Sequence, residues 1–166
     1  MNVRHWLALV ASTASLTIGV AFAQAPAPAV PQYGPNITAE QARKALAAAE
    51  ADARGKGWPM AITIVDNAGM LVAFIKLDNT QNGSVMISQD KAVSAAMLRR
   101  PTKVIQDAVA GGGAGVRFLS LRYASPVEGG LPLMIDGKVV GGIGVSGMAS
   151  DQDGVSAKAG ADALLK

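Results

Sequence analysis

The sequence has no cysteine and one histidine, His5. Without cysteine there are no disulfides, no thiolate nucleophile and no iron–sulfur ligation. His5 lies in an N-terminal segment that reads as a removable leader, so the mature chain has neither residue. That excludes a zinc centre of the usual ligands, a Ser-His-Asp or Cys-His catalytic set, and a histidine base. A haem bound here would lack a His or Cys axial ligand. Aromatic residues make up 4% of the chain, and the net charge of +3 is scattered rather than gathered in a Lys/Arg stripe. Nucleic acid is therefore not an expected partner. The long apolar run Trp6–Val20 is shorter than the ~20 residues of a membrane span.

What is present begins with a leader. Met1–His5 carries Arg4, an apolar core follows, and Ala21-Phe22-Ala23 has the small-x-small form of a cleavage site. Together these read as a secretory signal peptide over residues 1–23, with Gln24 as the new N-terminus. No cysteine follows the apolar core and no twin-arginine pair precedes it, so the expectation is an unlipidated protein exported by the general route. It would lie in the periplasm or the medium, without stable membrane insertion. Residues 24–36 carry prolines at 26, 28, 31 and 35 and read as an extended, flexible lead-in. Residues 37–166 suffice for one domain with its own core.

Thr38-Ala-Glu-Gln41 is a capping-box signal. Ala42, Leu46, Ala49 and Ala53 then recur at helical spacing, and Gly55 and Gly57 end the helix. Met60–Asp66 and Met70–Leu77 read as strands joined by the turn Asp66-Asn-Ala-Gly69. Ser84 opens a second helix with Met86, Val93, Ala96 and Met97 on its inward face, stopping before Pro101. Thr102–Ala110 reads as a short helix, broken by Gly111–Gly113 and Gly115. Phe118–Tyr123 is open between strand and loop. Ser150–Asp153 starts a last helix with Ala157, Ala161, Leu164 and Leu165 inward.

Between them lies the most informative stretch, Glu128–Gly147. Asp136-Gly137 between two apolar runs is a hairpin signal, because both turn residues take positive φ. Alternation puts Val139, Gly141, Ile143 and Val145 on one face and Val140, Gly142, Gly144 and Ser146 on the other. The second face is nearly bare, so a packed helix or a ligand must approach the backbone there. Two hairpins separated by helices predict an α+β fold, with helices packed on a central antiparallel sheet.

Several motifs dissolve on inspection. Gly142-Ile-Gly144-Val-Ser-Gly147 matches a dinucleotide fingerprint but sits inside a hairpin strand, not at a strand-to-helix turn. Asp151-Gln-Asp153-Gly154 resembles a calcium-loop fragment without its later glutamate, and capping explains both acids. Arg99 and Arg100 close a helix, where basic residues favour the dipole; they are also candidates to clamp a carboxylate or a haem propionate. Tyr123, ahead of the glycine-rich hairpin, is the better placed of two tyrosines to ligate a haem iron, with Met148 a second candidate and Met97 read as core.

These pieces resemble the GlcG/HbpS-like family, small domains described as haem-binding or haem-degrading. The resemblance spans about Thr38 to Leu165. It rests on the alanine-rich first helix, Val65-Asp-Asn-Ala-Gly69, Asp90-Lys-Ala92 through Arg99-Arg-Pro-Thr102, and Gly129-Gly-Leu-Pro-Leu133 through Gly147. It implies a profilin-like sandwich and a homo-oligomer. It also implies haem as cofactor in some secreted members, which act with a membrane sensor protein in redox sensing. The histidine used by some relatives has no counterpart in the mature chain, and no catalytic residue carries over.

The leading expectation is thus an exported haem-binding or haem-handling protein, with Tyr123, Arg99, Arg100, Gly142 and Gly144 as candidate ligand contacts. Any turnover would rest on the haem iron. The alternative is a haem-free extracytoplasmic module that senses a small organic acid, with a pocket bounded by the bare strand face and the Asp78–Gly83 loop. A hydrolase or isomerase using Asp78, Asp90, Glu128 and Asp136 finds no pairing in their spacing.

Overall fold

A computed structural model describes residues 29–165. The signal-peptide reading, residues 1–23, lies outside them, as does the start of the lead-in. The elements run α1 (Ala39–Gly55), β1 (Ala61–Asp66), β2 (Leu71–Lys76), α2 (Gly83–Leu98), α3 (Thr102–Ala110), β3 (Gly130–Ile135), β4 (Lys138–Ser146) and α4 (Ser150–Asp162). The four strands form one antiparallel sheet in the order β2-β1-β4-β3. This is the expected α+β sandwich. Helices α1 and α4 pack on one face and α2 on the other.

Local chemistry starts the elements where the sequence predicts. Thr38 Oγ1 accepts from the Gln41 amide at 3.2 Å, and Gln41 Oε1 accepts from the Thr38 amide at 2.9 Å. Asp136 and Gly137 both have positive φ, 49° and 71°, as a type I′ hairpin turn requires. The open stretch Phe118–Tyr123 is not a strand: a 3-10 helix covers Gly113–Ser120 and a turn follows.

The main core lies between the sheet and α1/α4, with Ile62, Ile64, Leu133, Ile143 and Val145 against Ala42, Ala45, Ala49, Ala53 and Ala157. Alanine lets these helices sit close to branched strand side chains. Strict alternation fails at Val140. Leu133 pairs with Gly141 and Met134 with Val139, so Val140 is an extra residue in β4. The bulge turns it into the α1 core beside Ile37.

The inward face of α2 also departs from expectation. Met86 is 61% exposed, and Val93 and Met97 are half-buried. The buried residues are Ser84, Ser88, Lys91, Ala92, Ser94, Ala95 and Ala96. The cause is the bare strand below. A Cβ on Gly144 would collide with the Ser88 carbonyl and the Ala92 amide, and one on Gly142 would lie 3.0 Å from Ala96 Cβ. The helix rests on strand backbone, which leaves room only for small side chains.

The flexible lead-in is corrected from Gln32 onward. The Val139 amide donates to Gln32, Gly34 donates to Val139, and Ile37 donates to Val140, each at 2.8 Å. These bonds continue the sheet beside β4 where β1 has ended at Asp66. Tyr33 fastens this strap to α2: its hydroxyl donates to the Met97 carbonyl at 2.8 Å.

Candidate functional site

The polar groups of the α2 face are matched from below. Thr63 Oγ1 and Ser88 Oγ lie 2.8 Å apart, and the Ser146 hydroxyl donates to Ser84 at 3.2 Å. Lys91 is the largest side chain in this seam. Its ammonium donates to Asp153 Oδ2 at 2.7 Å and to the Val145 carbonyl at 3.0 Å. The two side chains are 1% and 2% exposed, a fully buried ion pair. Burial pushes Lys91 down and Asp153 up from their ordinary values, because desolvation disfavours both charges. Asp153 Oδ1 accepts from the Met148 amide at 3.1 Å. The pair thus ties α2 to α4 and to the end of β4.

Glycine lets the chain pass this pair. Gly129 has φ of 121°, and a Cβ there would stand 2.8 Å from Lys91 Nζ. The next amide, Gly130, donates to Thr102 Oγ1 at 2.9 Å. Sequence reasoning quoted Lys91, Thr102 and Gly129 as family motif but assigned them no role, and read Asp153 as a cap. The available signal was the stripe Ser84, Ser88, Lys91, Ala92, Ala95, which places a lysine on a small-residue helix face.

The candidate ligand contacts do not converge. Gly142 and Gly144 face α2 rather than open space, so packing occupies the bare strand face. Arg99 has φ of 54° at the end of α2, donates to the Pro31 carbonyl at 3.0 Å, and stacks over the Tyr33 ring at 5.0 Å. Arg100 Nε donates to the Leu98 carbonyl at 3.1 Å. Both arginines serve the strap and the helix end.

Tyr123 stands elsewhere, on a lobe built from the 3-10 helix and the turn after it. Left-handed Gly112 and Gly113 start this lobe, and the Ser125 amide fixes its far end by donating to Ser94 Oγ at 3.0 Å. The tyrosine is 47% exposed, with the Arg122 guanidinium 5.5 Å from its ring. A groove of about 200 Å³ runs beside it, lined by Asp90, Val93, Arg122, Tyr123 and Ser125. Leu119, Leu121 and Val127 of the same lobe are also turned outward. The groove offers a phenol oxygen, a guanidinium and apolar area. Arg122, which the sequence pattern does not single out, lines this groove, and Arg99 and Arg100 do not.

Comparison with known proteins agrees with this architecture. A family model described as haem-degrading protein HbpS-like matches residues 37–162. The protein GlcG of Escherichia coli K12 is 34% identical over 110 residues, which cover 66% of this chain and 81% of GlcG. A double mutant of Streptomyces reticuli HbpS superposes with a TM-score of 0.73 at 28% identity, over 86% of this chain and 98% of that one. The fold is also that of a PduOC–haem complex, with a TM-score of 0.70 at 24% identity over 78% of this chain and 95% of that one. The family model spans most of the chain and the sequence motifs agree with it, and the chain belongs to the HbpS-like haem-degrading protein family.

Proposed function

We propose that this is an exported haem-binding protein that takes haem on the lobe of residues 113–127. One observation carries the reading. From Ala108 to Val127 the chain has Arg117 and Arg122 but no acidic residue, and it turns Val116, Leu119, Leu121, Tyr123 and Val127 outward. Haem is a flat apolar ring bearing two carboxylates. The lobe supplies apolar surface beside two guanidinium forks, the groups that take carboxylates bidentately. Tyr123 supplies an oxygen donor of a kind that ligates haem iron, in a chain whose mature part has no His or Cys.

The groove beside Tyr123, about 200 Å³ and open, seats one side of such a ring rather than enclosing it. Asp90 in the same groove disfavours a carboxylate there, which leaves the arginine side for the propionates. Haem, when bound, supplies redox-active iron; the chain binds the ring, orients it and leaves it exchangeable. Transient carriage or oxidative breakdown suits such a site better than permanent storage. The family description and the haem complex of a protein with the same fold support this reading. The leader-like residues 1–23 support export to the periplasm or medium. Following the family resemblance, the protein would act there as a homo-oligomer with a membrane sensor as partner.

The test is a haem titration of the chain from Gln24 onward, with and without Arg117→Gln and Arg122→Gln. The double variant should bind at least about 10-fold more weakly, or ~1.4 kcal/mol. Equal affinity in both proteins would refute the lobe as the site.

A further inference from the structure

A second concavity lies where α1 ends and β2 leaves the sheet. It is an open hollow of about 320 Å³ between Arg54, Trp58, Pro59, Leu77, Asp78 and Asn79, and shares no residue with the groove beside Tyr123. We propose that it binds a small zwitterion bearing both an amine and a carboxylate, in the simplest case a free α-amino acid with an apolar side chain.

The argument starts from the charges. Arg54 Nε donates to Glu50 Oε1 at 2.7 Å. That bond uses the inner nitrogen, and the two terminal nitrogens form the fork that takes a carboxylate. Asp78 brings the opposite charge to the same concavity and belongs to none of the ion pairs among the described residues. A simple carboxylate would meet Arg54 but also the field of Asp78 and Glu50. A simple amine would meet Asp78 but also Arg54. A ligand with both charges meets both groups at once, so Arg54 and Asp78 together favour a zwitterion over either single charge. Trp58, Pro59 and Leu77 make the remaining wall apolar, suited to an aliphatic or aromatic side chain.

The wall loop turns at Asn79, whose φ of 62° lies in the left-handed region that asparagine adopts readily. The pocket expected between this loop, Asp78–Gly83, and the bare strand face is filled by α2, and Trp58 and Arg54 give the loop a different wall.

The chain from Gln24 onward has a single tryptophan, Trp58, because Trp6 lies in the leader. Intrinsic fluorescence therefore reports this site alone. The haem-free protein is titrated with L-leucine, glycine, acetate and methylamine, and so are Arg54→Gln and Asp78→Asn. Both substitutions are at exposed surface positions, and matched urea midpoints verify their folding. L-leucine should give a saturable change at about millimolar concentration or below, glycine a weaker one, and acetate and methylamine none. Each substitution should weaken L-leucine binding about 10-fold. No saturable change with L-leucine, an equal response to acetate, or unaltered binding in both variants would overturn the proposal. Because haem is absent throughout, the result stands apart from the reading of the Tyr123 lobe.

Discussion

Replacing Lys91 with methionine would keep most of its volume and remove its charge. Asp153 would remain, 2% exposed, with its carboxylate supported by the Met148 amide at 3.1 Å but without the ammonium at 2.7 Å. Breaking a buried pair from one side typically costs about 3–5 kcal/mol, because the surviving charge is left uncompensated. A domain of this size has about 5–15 kcal/mol in total, so Lys91→Met should lose roughly a fifth of it or more. Lys91→Met combined with Asp153→Leu removes both charges and should recover most of that loss. Urea unfolding followed by Trp58 fluorescence measures all three proteins. The pH dependence gives a second reading. Burial holds the Asp153 carboxyl above its ordinary 3.8 in the folded state. A raised folded value favours folding below the unfolded value and loses that advantage as pH rises through the folded one. Lys91→Met takes away the hydrogen bond and charge that lower Asp153, so its carboxyl rises further and the deficit should shrink from pH 7 toward pH 4. A single-variant cost below about 1 kcal/mol, or a double variant as unstable as the sum of the singles, would refute the account of the pair.

Three further outcomes are expected. Gly144→Ala should cost about 1–3 kcal/mol in urea unfolding, because its methyl meets α2 backbone, whereas Gly83→Ala, with open space around it, should gain about 0.4–1 kcal/mol. Burial alone would raise Asp52, but hydrogen bonds from Lys56 and Ser156 outweigh it and hold the carboxyl below 3.8; its stabilisation is present above that value and lost as pH falls through the folded one, so Asp52→Asn should flatten the acid limb of stability below about pH 4. Tyr33→Phe removes the hydroxyl bond to Met97 and should cost about 1 kcal/mol, with faster amide exchange at Gly34 and Ile37 as the local readout.

The elements were legible where their signals are local. Thr38 and Gln41 lie three residues apart, and Asp136 and Gly137 are adjacent, so the sequence exposes the cap and the turn directly. The bare face of β4 announced a close approach, and the structure supplies α2 as the approaching element. Long-range choices were not legible. Lys91 and Asp153 are 62 positions apart, and the helix pattern alone favoured the methionines over a lysine as the inward residues. The bulge at Val140 depends on the register of β3 against β4, which alternation along one strand does not encode. Arg99 has the composition of an anion clamp, but the strap recruits it through Pro31 and Tyr33, 68 and 66 positions away in sequence. Arg122 stays beside Tyr123 because none of the described residues packs over that lobe's apolar surface.

Tyr123 is the lobe's candidate iron ligand, so the spectrum of bound haem is the most direct test of the haem reading. Haem is titrated into the chain from Gln24 onward and into Tyr123→Phe, and the absorption spectra are compared with those of haem in a non-binding control protein. A saturable Soret shift in the first protein, with a charge-transfer band that Tyr123→Phe loses while its fold persists, is the predicted result. A spectrum indistinguishable from the control, or a band unchanged in Tyr123→Phe, would contradict it.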